Sequence, residues 1–327
     1  MNTKKKQRVV YFNGHFVPES EAKVSIYDSS LMFGDMVFEM TRSFNKKQFK
    51  LKDHISRLMQ GIKILRIPFD HSAAEIEKAC NKTIEMNSDI FEKDDEHRLM
   101  IDVSRGLLGI YHGIENLHKG SNLIIADFPL RWTVSGMGKL FDEGINAVIT
   151  SQRVIPAHLM DPKIKNRSRL FYLNANIEVS QIKGSNNWAL MLDTDGFIAE
   201  GSGDNFFIVK NKEVISPEGR NMLRGISRDY VKEICEQIGY TYKEKNIDQY
   251  DVYTSDEAFM SGTPFCILPV TSLNRVKIGT GKPGEIFTEL LKKWSKNVGI
   301  NISQQIKDWD KKNIQKEIPA TTPYEFK

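Results

Sequence analysis

The sequence is poor in cysteine, and the spacing of its cysteines does not indicate a metal or redox site. The 327 residues include three, Cys80, Cys235 and Cys266, and no two of them are spaced as a metal-binding or redox pair. A run of about 18 apolar residues, which a membrane-spanning helix requires, is also absent. The charged N-terminal residues are not followed by an apolar stretch, so we expect no signal peptide. These absences together predict a protein of the reducing cytoplasm.

A strong excess of one charge sign is also lacking. The formal net charge is +4, and the charges are spread along the chain, which does not favour a nucleic acid as a partner. Hydrophobic residues make up 40% of the chain and charged residues 27%, as in soluble globular proteins. We find no internal repeat or low-complexity segment. A chain of this length is sufficient for two ordinary domains.

The central segment of the sequence is DPKIKNRSRLFYLNANIE, residues 161–178. It begins with several basic residues and then becomes helical in pattern. We expect the following positions, spaced at i, i+3, i+4 and i+7, to pack against a core: Leu170, Leu173, Asn174 and Ile177. A lysine ahead of such a helix is usually a solvated cation. Alternatively, it is a buried amine with a lowered pKa that attacks a carbonyl group.

Two later stretches favour the second interpretation. In AEGSGDNFFIV, residues 199–209, an acid precedes a turn of small residues and an apolar strand. In MLRGISRDYV, residues 222–231, a glycine turn leads into a helix whose N–H groups and positive dipole end are suited to phosphate. A lysine for the aldehyde, an acid for the ring nitrogen and a phosphate site are what pyridoxal 5′-phosphate requires.

With these stretches the chain resembles the class IV aminotransferases. These fold-type IV pyridoxal-phosphate enzymes include branched-chain aminotransferases, D-amino acid aminotransferases and aminodeoxychorismate lyase. The resemblance extends over most of the chain and rests on five motifs in the family's order. They are SLMFGDMVFEMTR at 30–42, HISRL at 54–58, the central segment at 161–178 (from here on the lysine segment), EGSGDNFF at 200–207 with GISR at 225–228, and FMSGT at 259–263.

The resemblance implies a two-domain α/β enzyme with a smaller N-terminal α/β domain and a larger C-terminal α/β pseudobarrel domain. Residues 126–138, ADFPLRWTVSGMG, contain a proline and two glycines, and we interpret them as a loop connecting the domains. We therefore expect an N-terminal domain at 1–127, an interdomain loop at 128–138 and a cofactor-binding domain at 139–318. Residues 319–327 are expected to form a tail.

Several elements follow from local patterns. Asn13-Gly14 predicts a hairpin turn within residues 9–17. Strands are expected at 36–44, 96–104, 145–150, 188–193, 205–209 and 257–260, and a turn with a short strand at 196–200. Helices are expected at 51–67, 71–86, 227–238 and 286–298.

The resemblance also implies residues that bind the cofactor. Counting back from Glu178 at the family's spacing places the reactive lysine at Lys165, and the D-amino acid enzymes use the same count, whereas the branched-chain enzymes have one more residue here. Lys163 therefore remains the alternative. Glu200 matches the acid at the pyridine nitrogen and Arg57 matches the phosphate arginine. The remaining phosphate contacts would come from the following residues: Ile226, Ser227 and Thr263.

The substrate residues follow neither of the two best-known patterns of the family. Phe33 and Phe38 match aromatic pocket positions of the branched-chain enzymes, and Arg98 matches an arginine of their motif. Glu96, however, replaces the tyrosine of that motif, and NRSR at 166–169 replaces a glycine-rich stretch. Of the arginine and histidine that bind the carboxylate in the D-amino acid enzymes, Ile110 replaces the first and His112 remains.

The resemblance implies a transaminase that uses pyridoxal 5′-phosphate to move an amino group between an amino acid and a 2-oxo acid. We expect a branched-chain or other apolar L-amino acid as substrate. The alternatives are a D-amino acid aminotransferase, an aminodeoxychorismate-type lyase, and a non-catalytic scaffold of the same fold. The resemblance further implies a homodimer or a higher homo-oligomer, without a metal, nucleic acid or membrane partner.

Overall fold

The computed structural model describes residues 7–184 and 186–313. The expected tail at 319–327 lies outside the described residues. The chain forms two compact units. The N-terminal unit ends at Leu130 but also includes Ile164–Arg169, and the C-terminal unit contains Arg131–Lys163 and the residues from Leu170 onward. The lysine segment is therefore divided between the units, and Lys165 belongs to the N-terminal one.

The N-terminal unit is built on an antiparallel sheet with the strand order β2-β1-β7-β6-β3, with a separate hairpin of β4 and β5. The strands are β1 Val9–Phe12, β2 His15–Pro18, β3 Met36–Met40, β4 Ser43–Phe44, β5 Lys47–Gln48, β6 His97–Ser104 and β7 Asn122–Pro129. The helices are α1 Ser29–Phe33, α2 Leu51–Ile64 and α3 Ala73–Asn87.

The predicted hairpin is confirmed. β1 and β2 pair with Phe12 opposite His15, so Asn13 and Gly14 form a two-residue turn. Both turn residues have positive φ, 48° and 91°, which is the conformation for which asparagine and glycine are favoured. The strand at 96–104 and the helices at 51–67 and 71–86 are also confirmed, with ends that differ by up to three residues.

The sheet of this unit has two chemically different faces. One face is mostly apolar, although it also carries a few buried charged side chains, and it packs on α2 and α3 through a core that includes Val37, Leu99 and Ile101. Side chains alternate along a strand, so the residues between these point to the opposite face. Phe38 lies opposite Asp102 in the ladder between β3 and β6, and Arg98 is on the same side of β6. The opposite face therefore carries charged and aromatic side chains.

The C-terminal unit contains a larger sheet. Its strands are β8 Ile145–Arg153, β9 Asn187–Leu192, β10 Ile198–Gly201, β11 Asn205–Lys210, β12 Glu213–Pro217, β13 Thr241–Lys245, β14 Glu257–Gly262, β15 Cys266–Leu273 and β16 Val276–Lys277. Its helices are α4 Arg131–Val134, α5 Leu140–Glu143, α6 Leu170–Ser180, α7 Ile226–Ile238, α8 Gln249–Tyr253, α9 Glu285–Val298 and α10 Ile302–Asn313.

Six of these strands close into a barrel. The order is β10-β9-β8-β15-β14-β11, and β11 pairs with β10 to complete the ring. The pair at the closure is Glu200 with Asn205, and Asn205 in turn pairs with Ser261 of β14. Side chains that are directly opposite on adjacent strands point to the same face. Glu200, Asn205 and Ser261 therefore form a row across three strands. The predicted strands at 145–150, 188–193, 205–209 and 257–260 and the helices at 227–238 and 286–298 are confirmed.

Two local predictions are wrong in part. Residues 126–138 are not a continuous loop, because 126–129 complete β7 and Arg131–Val134 form a helical turn. Pro129 is accommodated because it is the last residue of its strand. The strand predicted at 36–44 is interrupted after Met40, and the chain continues into the β4–β5 hairpin. The buried Glu96 accepts hydrogen bonds from Ser43 Oγ and from the backbone N–H groups of Asn45 and Lys46, which holds this hairpin.

The predicted core face of α6 is also wrong. Leu170 is 67% exposed, and Asn174 and Ile177 are exposed as well. The face that packs against the barrel contains Ala175 and Val179, together with the partly buried Phe171 and Tyr172. Both faces of the helix contain apolar residues, so the spacing alone could not distinguish them. No helix among the described residues is long and apolar enough to cross a membrane.

Candidate active site

Lys165 lies in a short extended segment that is held along β3. Phe38 N–H donates to Lys165 O at 2.9 Å, and Arg167 N–H donates to Met36 O at 2.9 Å. Val37 and Asn166 form an isolated antiparallel bridge between these bonds. The backbone from the Lys165 carbonyl group to Arg167 is therefore fixed by hydrogen bonds, which limits the positions that the lysine amine can reach.

The ring of Phe38 lies among three cationic groups of this segment. Lys165 Nζ is 4.7 Å from the ring centroid, and the guanidinium carbons of Arg167 and Arg169 are at 3.8 Å and 5.4 Å. An aromatic face attracts a cation at such distances. Phe38 is buried, so its ring provides a rigid wall for the lysine amine.

Arg167 is fixed by a carboxylate. Its Nε and Nη2 atoms donate to Asp102 Oδ1 at 3.1 Å and 2.8 Å. Burial raises the pKa of Asp102, and the charge of Arg167 opposes that rise. This ion pair compensates one of the three positive charges around Phe38 and holds the arginine over the ring.

Arg57 on α2 is bound by the buried acid Glu39 of β3. Arg57 Nε and Nη2 donate to the two carboxylate oxygens at 2.6 Å and 2.8 Å, and His54 Nδ1 lies 2.7 Å from one of them. Burial by itself would raise the pKa of Glu39, but the charge of Arg57 and the contact with His54 lower it to about 2. Burial lowers the pKa of His54, and the charges of Arg57 and Lys165 lower it further although Glu39 opposes them.

Glu200 is a buried carboxylate of the C-terminal unit, 3% exposed. Its Oε1 accepts from the hydroxyl of Tyr172 at 2.5 Å, and its Oε2 accepts from Leu223 N–H at 3.1 Å. The two bonds orient the carboxylate, and its charge is suited to a cationic partner.

The helix α7 begins beside this acid. Its cap residue is Gly225, no side chain caps its first turn, and Ile226 and Ser227 are its first two residues. Asn205 Nδ2 donates to Leu223 O at 2.8 Å, so the row of barrel side chains supports the loop that leads into the helix. Free N–H groups at a helix start bind anions. The turn after β14 adds Thr263, which is partly buried, and the buried Ser261 Oγ has no hydrogen-bond partner among the described residues.

Gly225 is required by this packing, which gives a first prediction. A Cβ atom at residue 225 would lie 2.1 Å from Asn205 Oδ1, so Gly225→Ala must displace the side chain that supports residue 223. We expect the melting temperature to fall by about 4–8 °C, together with weaker binding of a phosphate compound. Gly203→Ala is the control, because a Cβ atom there would meet nothing within 4 Å. Equal melting temperatures for the two variants would contradict the prediction.

The candidate substrate-binding residues have separate local surroundings. Phe33 ends α1 and its side chain is 64% exposed, while its carbonyl oxygen accepts from Ser168 Oγ at 2.9 Å. Arg98 is buried on β6, with Nη2 at 3.5 Å from the sulfur of Met40. The ring of His112 is bonded through Nε2 to the nearby Leu107 O at 3.1 Å.

Two further basic residues have defined partners. Arg105 donates to Asp35 and to the carbonyl oxygens of Leu65 and Arg66, so it serves to join loops of the N-terminal unit. Lys163 Nζ forms an ion pair with Asp161 at 2.9 Å. Both side chains are therefore committed to local structure.

Some residues of the candidate site are not evident from the sequence. Glu39, Asp102 and Tyr172 are brought to Arg57, Arg167 and Glu200 only by tertiary structure. A weak signal exists for Glu39, which is a charged residue within an otherwise apolar strand pattern. Tyr172 carries no such signal, since it lies on a helix where aromatic residues are common.

Comparison with known proteins shows which family the sequence resembles. A sequence model of the family described as amino-transferase class IV matches residues 36–273. A protein of Methanocaldococcus jannaschii, named putative branched-chain-amino-acid aminotransferase, is 33% identical over 287 residues, which are 87% of this chain and 94% of that protein.

Solved structures are similar over most of the chain. The branched-chain amino acid aminotransferase of Escherichia coli has a TM-score of 0.78 at 26% identity, covering 91% of this chain and 96% of that one. The branched-chain amino acid aminotransferase of T.th., complexed with N-(5′-phosphopyridoxyl)-L-glutamate, has a TM-score of 0.77 at 26% identity, covering 93% and 98%.

Proposed function

Because the chain belongs to the class IV aminotransferase family, we propose that it moves an amino group between a branched-chain or other apolar L-amino acid and a 2-oxo acid. Membership of the family confirms the resemblance found in the sequence and the fold-type IV architecture. It also makes the chain a transaminase that depends on pyridoxal 5′-phosphate. The choice of an apolar L-amino acid and the roles of individual residues are the proposal.

The residues present fit the cofactor. The uncapped start of α7, with the buried Ser227, offers N–H donors of the kind that bind phosphate. Ser261 has a buried hydroxyl without a partner among the described residues, two positions before Thr263. Glu200 is a buried acceptor whose charge suits a protonated ring nitrogen. When bound, the cofactor supplies an electron sink for the negative charge that develops at the substrate α-carbon.

Each proposed residue has one task. Lys165 Nζ would hold the cofactor aldehyde, and its amine would accept a proton from the substrate α-carbon and return it. Glu200 keeps the ring nitrogen protonated. Arg57 contributes charge-assisted hydrogen bonds to the phosphate. The remaining phosphate donors are Ile226, Ser227 and Thr263. Phe38 bounds the space at Lys165 Nζ, with its ring centroid 4.7 Å from the amine.

The preference for apolar L-amino acids rests on the face of the N-terminal sheet that carries Phe38 and Arg98. The two are on adjacent strands and on the same side of the sheet, and Phe33 and His112 complete the proposed substrate residues. The names of the similar proteins from Methanocaldococcus jannaschii and Escherichia coli support the same substrate class.

Residue 110, where the D-amino acid enzymes have an arginine, also favours an L-amino acid as substrate. Ile110 has no donor, and Arg105 is committed to Asp35 and to two carbonyl oxygens. Losing a charge-assisted hydrogen bond to a carboxylate costs about 1.5–3 kcal/mol, which is roughly a tenfold to a hundredfold loss of affinity.

We therefore predict that L-leucine, L-isoleucine or L-valine converts the cofactor to its pyridoxamine form about tenfold or more faster than D-alanine or D-glutamate does. Stopped-flow absorbance with matched L and D amino acids measures the two rates. Faster conversion by the D compounds would contradict the substrate class but not the cofactor chemistry. Pyruvate release without an oxo-acid acceptor would instead indicate the lyase.

We also propose that the protein is a cytoplasmic homodimer. The N-terminal unit exposes several large apolar side chains within ten residues: Val24, Ile26, Tyr27, Leu31, Met32 and Phe33. A patch of this kind is typical of an interface. Cys80 and Cys235 are free and buried, and Cys266 is buried as well, which suits a reducing compartment. Light scattering coupled to gel filtration would give the mass, and a monomer at working concentration would refute the dimer.

A further inference from the structure

Glu39 is a charged residue in an apolar setting. It lies in β3 on the face that packs on α2 and α3, between the core residue Val37 and the end of the strand. Its side chain is completely buried. An ion pair in such a position is no better for folding than apolar residues of the same volume, since both charges lose their hydration. A gain in folding stability therefore does not explain why an acid occupies this position.

The hydrogen bonds of the Glu39 carboxylate give a better explanation for an acid at this position. Its two oxygens accept from Arg57 Nε and Nη2 at 2.6 Å and 2.8 Å, a bidentate arrangement that fixes both the position and the rotation of the guanidinium plane. His54 binds one of the same oxygens at 2.7 Å and is itself buried. The acid therefore binds one edge of the Arg57 guanidinium group and fixes the group in one orientation.

The charges of this cluster are balanced. The pKa of Glu39 is lowered to about 2, so the acid is ionised at neutral pH. The pKa of His54 is lowered by burial, which outweighs the opposing charge of Glu39, and the charges of Arg57 and Lys165 act in the same direction as burial. His54 is then a neutral ring that donates through Nδ1–H, and the cluster contains one negative and one positive charge.

We propose that Glu39 is a positioning residue, which fixes the guanidinium of Arg57 in the orientation that binds the cofactor phosphate. This inference rests on the role proposed above for Arg57. The acid does not touch the phosphate, and it acts through the arginine alone. His54 binds the carboxylate oxygen that also accepts from Arg57 Nη2, and so helps to hold the acid in place.

Glu39→Asp tests the idea with the charge unchanged. The shorter side chain keeps the negative charge but cannot reach both nitrogens of Arg57 from the same backbone. We expect the dissociation constant of pyridoxal 5′-phosphate, measured by titrating the apoenzyme, to rise about tenfold to a hundredfold. The ³¹P resonance of the bound phosphate should shift, which a general loss of stability would not cause.

Asp127→Asn is the matched control. Asp127 is a buried acid of the same sheet, on the same face as Leu99, and it is paired with His97 at 2.9 Å. This variant should also lower the melting temperature, but it should leave the dissociation constant within about twofold and the ³¹P resonance in place. Equal effects of the two variants on the dissociation constant would overturn the proposal.

Arg57→Lys separates this inference from the proposed function. A lysine keeps the charge but cannot form the bidentate contact, so the dissociation constant should rise in this variant, and adding Glu39→Asp should then change it by less than about threefold. No effect of Arg57→Lys would refute the phosphate role of Arg57. An effect of Arg57→Lys without one of Glu39→Asp, or two effects that simply add, would refute only the role of Glu39. If Glu39→Asp does not fold, Glu39→Gln replaces it in the same cycle.

Discussion

Replacement of Lys165 by alanine is expected to lower turnover by at least about a thousandfold, because it removes the amine that we propose holds the cofactor and transfers the proton. Lys165→Ala leaves the backbone bonds of the segment to β3 intact, since they are made by Lys165 O and the neighbouring residues. The fold should therefore persist, with a melting temperature close to that of the parent. Steady-state kinetics and calorimetry on the same preparation measure both quantities.

Lys163→Ala is the matched control two residues away. Its amine forms a partly exposed ion pair with Asp161, and such pairs contribute about 0–1 kcal/mol. Turnover should stay within about threefold of the parent. Borohydride reduction followed by peptide mass spectrometry should place the pyridoxyl group on Lys165. A label on Lys163, or an active Lys165→Ala variant, would show that the spacing from Glu178 was counted wrongly.

The local elements could be predicted because their signals are local. The Asn13-Gly14 turn, the amphipathic helix α2 and the glycine before α7 depend on residues close in the sequence. Spacing then placed Lys165, Arg57 and Glu200 in the family's motifs. The sequence thus predicted these local elements, and the roles of the three motif residues stay a prediction.

The face of α6 could not be predicted in the same way. Apolar residues occupy two sides of the helix, and only the barrel determines that Ala175 and Val179 are the buried ones. The connection at 126–138 was misread because Pro129 is tolerated at the end of a strand. Both errors arise where the partner strand or helix, and not the local sequence, decides the structure.

The partners of the site residues were missed for the same reason. Glu39 and Arg57 are 18 residues apart in sequence, and Tyr172 and Glu200 are 28 apart. Each pair is formed when a strand and a helix pack together, and no spacing rule connects them. Such partners decide the orientation and the electrostatics of a site, so the motifs alone gave the groups present but not their geometry.

The second large effect is expected when the negative charge of Glu200 is removed. Glu200→Gln is expected to retain much of the cofactor and to lower the rate of the half-reaction by about a hundredfold or more, as for loss of a preorganised electrostatic partner. The amide keeps one oxygen acceptor for Tyr172 or Leu223 N–H but has no charge with which to hold a proton on the ring nitrogen. Single-turnover absorbance with excess L-leucine gives the rate.

Two further variants distinguish the effect of the Glu200 charge from the effect of losing its hydrogen bond and from the effect of neutralising a buried acid elsewhere. Tyr172→Phe removes the 2.5 Å hydrogen bond to Glu200 Oε1 and keeps the carboxylate, so the rate should fall by less than about tenfold. Glu96→Gln makes the same chemical change at a buried acid that holds the β4–β5 hairpin, and it should lower the melting temperature with little change of rate. The order expected is therefore Glu200→Gln slowest, Tyr172→Phe intermediate and Glu96→Gln near the parent. A Glu200→Gln variant with a rate near that of the parent would remove Glu200 from the site, since a buried charge at the ring nitrogen cannot be lost without cost to the carbanion that it stabilises.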